Sequence, residues 1–336
     1  MPAQELLDED FAHLSYKPEE AISYLLYLDA NNLYGSAMSQ YLPHSDFKWL
    51  SPEEIANFDI TQRCSNPTSD VGYILEVDMS YAQELHDLHD ELPFCPENIV
   101  PPIEGKRQLK LIPNLFNKNN YVLHYRNLHQ AVKHGLKIDK IHRILSFNQS
   151  NWLQPYIDLN TRKRQAAKNA FEKDLFKLFC ERYFWKMFSV LDISKTTMYS
   201  FQYDYIKKLY GNDNAKLLYT DTDSLIYSIK TDDVYADIKK NISKFDTSNY
   251  KPDNPYGIPL VFKAVLGCFK DEANGRPMLE FLGLRSKLYD YVLADNTVVK
   301  KAKGVKKTRH FQQYHSLIVT GIRVSGVTST GLIPVE

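Results

Sequence analysis

The sequence predicts an α+β fold, because strand-like runs and longer helical patterns occupy different stretches of the chain. Residues 24–29 (YLLYLD) and 72–79 (GYILEVDM) are apolar runs of strand length. Residues 217–229 (LLYTDTDSLIYSI) place apolar runs on both sides of an Asp-Thr-Asp triplet, which indicates a hairpin. Helical patterns at 153–186 and 193–211 indicate helices packed beside a small sheet that carries the acids.

The composition excludes several classes of protein. Lys+Arg and Asp+Glu number 41 each, so any nucleic-acid surface must come from local clusters of basic residues. The four cysteines are widely spaced and form no Cys-x-x-Cys pair, which argues against a zinc knuckle or a disulfide scaffold. Neither a signal peptide nor an apolar run of about 18 residues is present, so we expect a soluble intracellular protein without a membrane partner. The choice between nucleus and cytoplasm stays open.

Proline and charge patterns complete the outline of the elements. The Pro-rich stretches 42–47, 91–105 and 111–116 predict loops and edge strands. The basic stretch 161–177 (TRKRQAAKNAFEKDLFK) predicts one helix, and Gly211 is a natural stop for the next. In the last third, 281–293 is strand-like, and 300–310 (KKAKGVKKTRH) predicts a basic loop or helix start.

The Asp-Thr-Asp triplet is the main chemical signal. Asp221 and Asp223 would face the same side of a strand, where two close carboxylates are costly unless a cation neutralises them. A solvated turn is the ordinary alternative for such a triplet. An EF-hand loop fails, because Leu225 and Ile226 stand where a ligand and a glycine are required. A haloacid-dehalogenase-type phosphatase fits loosely, but no convincing later acidic motif follows.

Residues 219–224 (YTDTDS) reproduce motif C of the family B DNA polymerases, and the chain resembles that family over most of its length. Motif A is matched at 29–35 (DANNLYG), with Asn32 and Gly35 in place of the usual Ser and Pro. The Lys-x-Tyr motif follows at 287–289, and 300–307 is similar to the entry to the thumb. The form of motif A is similar to that of the protein-primed branch, found in viruses and Maverick/Polinton-type mobile elements.

The resemblance implies a right-hand polymerase palm with partial fingers and thumb. It assigns 1–40 to the first palm part, 41–150 to an insertion resembling the terminal-protein region, and 151–188 to a fingers remnant. It assigns 189–285 to the second palm part, and 286–336 to the Lys-x-Tyr motif and a truncated thumb. The implied activity is DNA-directed nucleotidyl transfer from dNTPs to the primer of a primer–template, in replication of a virus or mobile element. A priming terminal protein is an optional further partner.

The resemblance also implies roles for individual residues. Two Mg²⁺ ions, or Mn²⁺, would be held by three carboxylates, which are Asp29, Asp221 and Asp223. Tyr34 would lie under the incoming sugar, and the basic face of the 161–177 helix would bind the triphosphate through Arg164, Lys173 and Lys177, with Lys168 beside them. The primer and its DNA would be held by Lys287, Tyr289, Lys301 and Lys303.

The chain departs from the family at motif B. Glu181, Arg182 and Trp185 stand where the family has Asn, a small residue and Gly, and only Phe184 matches. The interval from Lys177 to Asp221 is also shorter than in relatives, so we expect a missing segment. We further expect no exonuclease domain and therefore no proofreading. These departures leave a second hypothesis, a catalytically impaired relic that only binds DNA or metal.

Overall fold

The computed structural model describes residues 23–100, 109–181, 188–285 and 287–302. The described residues form two compact units. Unit 1 contains those up to Ala30 and those from Tyr210 onward, and unit 2 contains those of Asn31–Leu209.

Strands and helices alternate irregularly along the chain. The strands are β1 (Ser23–Ala30), β2 (Leu42–Trp49), β3 (Val71–Ser80), β4 (Glu97–Ile99), β5 (Lys110–Ile112), β6 (Lys118–His124), β7 (Lys137–Ser150), β8 (Ala215–Asp221), β9 (Ser224–Lys230), β10 (Phe245–Asp246), β11 (Phe269–Asp271), β12 (Met278–Arg285), β13 (Leu288–Leu293) and β14 (Val298–Ala302). The α-helices are α1 (Leu33–Met38), α2 (Pro52–Ala56), α3 (Ile60–Arg63), α4 (His86–His89), α5 (Tyr125–Lys133), α6 (Gln154–Ala166), α7 (Ala170–Glu181), α8 (Phe188–Tyr199), α9 (Lys207–Tyr210) and α10 (Val234–Lys240).

Unit 1 is built on an eight-stranded sheet in which β1 is central. β1 pairs antiparallel with β9 from Ser23 to Asp29 on one side, and with β11 and β12 on the other. Leu26 and Leu28 of β1 are buried, as the uninterrupted apolar run of a central strand requires. The strand predicted at 24–29 is therefore confirmed, and its central place fixes the position of Asp29 near the strand's end.

Unit 2 contains a four-stranded antiparallel sheet in the order β2-β7-β3-β6. Leu75, Val77 and Met79 of β3 alternate into its core, which confirms the strand predicted at 72–79. The Pro-rich stretch at 42–47 falls on β2, an edge strand, and the other two fall mainly on loops and the short β4–β5 pair. The expectation of loops and edge strands is confirmed for the described residues.

The prediction of one continuous helix over 161–177 is wrong, because the structure divides this stretch between α6 and α7. Ala167 is extended, with ψ of 133°. The side chain of Asn169 accepts from the backbone N–H of Glu172, and the Glu172 carboxylate accepts from the N–H of Lys168. These local bonds satisfy the start of α7 and replace the continuation of α6. Arg164 and Lys168 therefore do not lie on the helix that carries Lys173 and Lys177.

The helix predicted at 193–211 is confirmed, although it begins earlier, at Phe188. A π-helical segment, Ser200–Ile206, joins α8 to α9. Gly211 follows with φ of +80°, which agrees with its predicted role as the stop.

Two predictions for the last third need correction. The strand-like stretch 281–293 is a hairpin, β12 and β13, that reverses beside Lys287, whose φ is 62°. The basic stretch that starts at Lys300 begins as the end of β14 and not as a loop or helix, because that strand pairs along the edge offered by β13. Residues 303–310 lie outside the described residues. No helix in the described ranges is both long and apolar enough to cross a bilayer.

Candidate functional site

The Asp-Thr-Asp triplet forms the tip of the β8–β9 hairpin. Asp221 pairs with Ser224, and the N–H of Asp223 donates to the carbonyl of Asp221 at 2.7 Å, closing a tight turn around Thr222. Thr222 has φ of 63°, an unusual conformation for a β-branched residue. Leu225, directly after the tip, is fully buried in β9. The hairpin therefore holds a strained turn on a rigid strand, which is a common property of functional sites.

Asp29 lies beside this tip because β1 pairs with β9. Asp29 is opposite Ser224 in the register, and the N–H of Ala30 donates to the carbonyl of Asp223 at 2.8 Å. The Ser224 hydroxyl donates to Asp29 Oδ2 at 2.8 Å. The other oxygen of Asp29 accepts no hydrogen bond from the residues that the structure describes. Strand pairing thus joins motif A to motif C across most of the chain.

The charge of Asp29 is incompletely compensated. Burial, and next the negative charge of Asp223, raise the pKa of Asp29 to about 6. The Ser224 hydrogen bond and Lys270 act in the opposite direction but do not offset them. A nearby cation would stabilise the ionised form of a carboxyl group that has a like-charged neighbour and few donors.

Asp221 has a different environment, because Lys287 neutralises it. Lys287 Nζ contacts both carboxylate oxygens of Asp221, at 2.9 and 2.8 Å. These hydrogen bonds raise the pKa of Lys287. The backbone N–H of Lys287 also donates to the Tyr219 hydroxyl at 2.8 Å, so the turn between β12 and β13 is tied to the hairpin. The Lys-x-Tyr motif and motif C thus form one arrangement in unit 1.

A group of tyrosines supports the site. The Tyr27 and Tyr289 hydroxyls are 2.8 Å apart and hydrogen-bonded, and the rings of Tyr219 and Tyr289 lie 5.0 Å apart. Tyr27 and Tyr289 are buried. Sequence reasoning assigned no role to Tyr27 or Ser224. Side chains two residues apart face the same side of a strand, so Tyr27 shares a face of β1 with Asp29. This spacing could have predicted a role for Tyr27 from the sequence.

The other predicted site residues belong to other elements of the chain. Those expected to bind the nucleotide, Tyr34, Arg164, Lys173 and Lys177, belong to unit 2, whereas the carboxylates belong to unit 1. Lys301 is exposed on β14, where it pairs with Tyr289 in the register. Lys303, and the motif B residues Arg182, Phe184 and Trp185, lie outside the described residues.

The described residues contain no group of three or more His, Cys, Asp or Glu side chains arranged to hold a metal ion. Asp221 is instead held in an ion pair with Lys287. The remaining two, Asp29 and Asp223, do fit a divalent cation. Asp29 has an oxygen without a donor among the described residues, and burial and next the adjacent charge disfavour its ionised form.

Known proteins match this chain in sequence and in fold. The sequence model of one family, DNA polymerase type B, organellar and viral, matches residues 15–252. No curated protein matches the chain. The orthorhombic crystal form of Phi29 DNA polymerase is 14% identical with a TM-score of 0.50, over 86% of this chain and 52% of that chain.

A ternary complex of Phi29 DNA polymerase with primer–template DNA and incoming nucleotide substrates is 15% identical, with a TM-score of 0.52. It covers 88% of this chain and 53% of that chain, so this chain spans about half the length of the Phi29 structures. The predicted resemblance to a family B polymerase and the predicted α+β class are both confirmed.

Proposed function

The chain belongs to the organellar and viral family of type B DNA polymerases, and we propose that it carries the catalytic centre for adding deoxynucleotides to a primer 3′ end. The reaction is template-directed nucleotidyl transfer, and its setting is replication of the DNA of a virus or mobile element. The partners are a primer–template, dNTPs and, for the protein-primed branch, a priming terminal protein. We also propose the palm, insertion, fingers and thumb ranges inferred from the motifs.

The observation that carries the proposal is the meeting of Asp29 with Asp223 at the tip of the hairpin. Strand pairing brings together two carboxylates that are far apart in sequence, and Asp29 receives one hydrogen bond while its pKa is raised to about 6. An ionised Asp29 beside a second negative charge costs stability. A bound divalent cation would remove that cost, which gives the arrangement a chemical purpose.

Asp29 and Asp223 are therefore the residues that would hold Mg²⁺ or Mn²⁺, two ions in the complete site. A bound cation supplies neutralisation of charge on the reacting phosphate and on the attacking hydroxyl. Ser224 orients the Asp29 carboxylate by donating to one of its oxygens, which leaves the other oxygen available. Asp221 is proposed as a further acidic member whose position depends on Lys287.

Lys287 has two tasks in this proposal. Its ammonium group carries three N–H donors, and the two carboxylate contacts to Asp221 leave one donor for the primer terminus. Tyr289, hydrogen-bonded to Tyr27, fixes the strand that follows Lys287. Lys301 and Lys303 are proposed to contact DNA beyond this point.

The nucleotide would be bound by Tyr34, Arg164, Lys173 and Lys177. The division of α6 from α7 means that Arg164 reaches a triphosphate from a different helix than Lys173 and Lys177. Phosphate binding does not require one continuous helix, because each lysine or arginine contact is an independent charge-assisted bond.

The test is extension of a labelled primer on a template by the purified chain. We expect Mg²⁺- or Mn²⁺-dependent addition of the one deoxynucleotide that the template specifies. Asp223→Asn should abolish addition, and Asp213→Asn, at an exposed aspartate outside the site, should leave it unchanged.

Addition without regard to the template, or addition that survives in Asp223→Asn, would contradict the proposal. Release of phosphate from p-nitrophenyl phosphate, without primer extension, would favour the phosphatase hypothesis. Salt-sensitive DNA binding without any extension would identify the chain as a relic.

A further inference from the structure

A second part of unit 1 has a charge unlike that of the whole chain. Five exposed lysines lie within residues 239–263, and they are Lys239, Lys240, Lys244, Lys251 and Lys263. The same stretch has one exposed acid, Asp253, because Asp246 is buried. We call these five lysines and the loop between them the basic loop surface. A local excess of positive charge in a chain with no net charge marks a surface for a polyanion.

The ammonium groups of three of these lysines have no acidic partner within the described ranges. Among the described residues, Lys239, Lys240 and Lys251 form no ion pair, in contrast to Lys287, which is held by Asp221. Lys239 of α10 lies close to the loop. Its Nζ is 3.3 Å from the position that a Cβ atom would occupy at Gly257. Lys239 therefore lies against the loop, and all three exposed charges are available to an external anion.

The loop that carries these charges is held in one shape by buried groups. The Asp246 carboxylate accepts from the N–H of Ala264 at 2.7 Å, and the Thr247 hydroxyl donates to the carbonyl of Pro259 at 2.6 Å. The ring of Tyr256 stacks on Tyr235 of α10 at 3.7 Å. A surface fixed in this way loses little conformational entropy when it binds a partner.

The tip of the loop is both strained and apolar. Phe262 and Ala264 have φ of 59° and 54°, in a region where a bulky side chain is an outlier. Leu260 and Phe262 remain 43% and 39% exposed. Strained backbone that exposes a large aromatic ring is typical of sites that contact a partner.

The register of the sheet connects this surface to the carboxylates. Asp246 of β10 pairs with Lys270 of β11, and Lys270 pairs with Asp29 of β1. Adjacent strands are about 4.8 Å apart, so the start of the loop is about 10 Å from Asp29 across the sheet. A nucleic acid whose end lies at the carboxylates extends well beyond that distance.

We propose that the basic loop surface binds the sugar–phosphate backbone of DNA whose end is bound at the site formed by Asp29 and Asp223. The inference rests on the proposed function. The lysines contact phosphates without reading the sequence, and Leu260 and Phe262 pack on the apolar faces of the sugars. The surface adds a DNA contact that is independent of Lys287, Lys301 and Lys303.

The test is charge reversal, measured by fluorescence anisotropy with a labelled primer–template duplex over a range of salt concentrations. The variant Lys239→Glu/Lys240→Glu/Lys251→Glu should bind at least tenfold more weakly than the full wild-type chain. The slope of log affinity against log salt should fall by roughly 2 to 3, at about 0.9 for each phosphate that the variant no longer neutralises. The matched control reverses three exposed lysines of unit 2, Lys137, Lys140 and Lys208, and should keep the slope.

The outcomes separate this proposal from the proposed function. If the wild-type chain binds no DNA, both are overturned. If it binds DNA but the reversal variant has the same affinity and slope, only the basic loop surface is overturned.

A second measurement uses the wild-type chain alone and so does not depend on the folding of variants. Acetylation of lysines by acetic anhydride, read by mass spectrometry, should be at least fivefold slower at Lys239, Lys240 and Lys251 when the duplex is bound. Equal rates with and without duplex would overturn the proposal. Protection by vesicles of phosphatidylcholine and phosphatidylserine, but not by duplex, would overturn it in favour of a membrane surface.

Discussion

Asp29 and Asp271 lie on neighbouring strands of one sheet, and burial raises the pKa of both carboxyl groups. Asp271 is almost fully enclosed and accepts from three donors, the Tyr250 hydroxyl at 2.8 Å and the N–H groups of Ala273 and Gly275 at 2.9 and 2.7 Å. Asp29 is less enclosed, and it accepts from one hydroxyl. The two acids of one sheet therefore differ most in how far hydrogen bonds compensate their burial.

We propose that this difference separates the structural acids of this sheet from the acids of the candidate site. Three donors compensate Asp271, which ties the loop after β11 to Tyr250. A lysine compensates Asp221. Within the described part of the chain, Asp29 has neither a lysine contact nor a set of donors, and Asp223 adds a second negative charge. An acid that the fold leaves uncompensated is available to a cation, whereas a compensated acid stabilises its own loop.

The largest expected effect is on activity. Asp29→Asn and Asp223→Asn should each reduce primer extension about a thousandfold, which is about 4 kcal/mol of transition-state stabilisation. Neither substitution should lower the free energy of unfolding above pH 6, because each removes charge repulsion. Single-turnover extension and urea unfolding measure the two quantities. A variant that loses both together would mean that these acids are structural, like Asp271.

The next effect concerns stability. Asp271→Ala should lower the free energy of unfolding by about 3 kcal/mol, because it leaves the Tyr250 hydroxyl and two N–H groups buried without an acceptor. Urea unfolding at pH 7 measures the loss. Asp253→Ala, at an exposed position, should change it by less than about 0.5 kcal/mol. Equal effects of the two substitutions would mean that the donors around Asp271 do not stabilise the fold.

A smaller effect should follow from pH. The pKa of Asp29 is about 6 in the folded chain, whereas its ordinary value, which we take for the unfolded chain, is 3.8. Between about pH 4 and about pH 6 the folded state therefore holds a proton on Asp29 that the unfolded state has released. Stability should therefore fall as pH rises from about 4 to about 6, by about 2 kcal/mol, and stay level above. Asp29→Asn should remove this component from unfolding curves measured across that range. An unchanged pH profile in the variant would mean that Asp29 has its ordinary pKa.

The smallest effect is expected at Lys287. The Lys287–Asp221 pair is about half exposed on the lysine side, so Lys287→Gln should cost less than about 1 kcal/mol of stability. Extension should nevertheless weaken, because Asp221 loses its position and the primer loses a donor. A stability loss above about 2 kcal/mol, beyond the range of exposed ion pairs, would place Lys287 with the structural groups and not with the site.

The strands and acids of the site were predictable because they depend on local patterns. An apolar run ending in Asp29 and a hairpin around Asp221 and Asp223 are visible in a few residues each, and motif order linked them. The break between α6 and α7 had a signal too, since Asn169 and Glu172 have the spacing of a helix start. We predicted one helix because the sequence pattern is helical on both sides of this break.

Other features depend on the fold and had no local signal. The contact of Lys287 with Asp221 joins residues 66 positions apart. The compensation of Asp271 requires Tyr250 to approach from 21 positions away. The number of hydrogen-bond donors around a buried acid depends on packing. That number distinguishes Asp29 from Asp271, which look alike in the sequence.

Mn²⁺ binding, followed by electron paramagnetic resonance, shows whether Asp29 and Asp223 together form a cation site. The wild-type chain is expected to bind Mn²⁺, with affinity at least tenfold lower in Asp223→Asn and unchanged in Asp253→Asn. Mn²⁺ affinity in Asp223→Asn equal to that of the wild-type chain would mean that these two acids do not hold the cation.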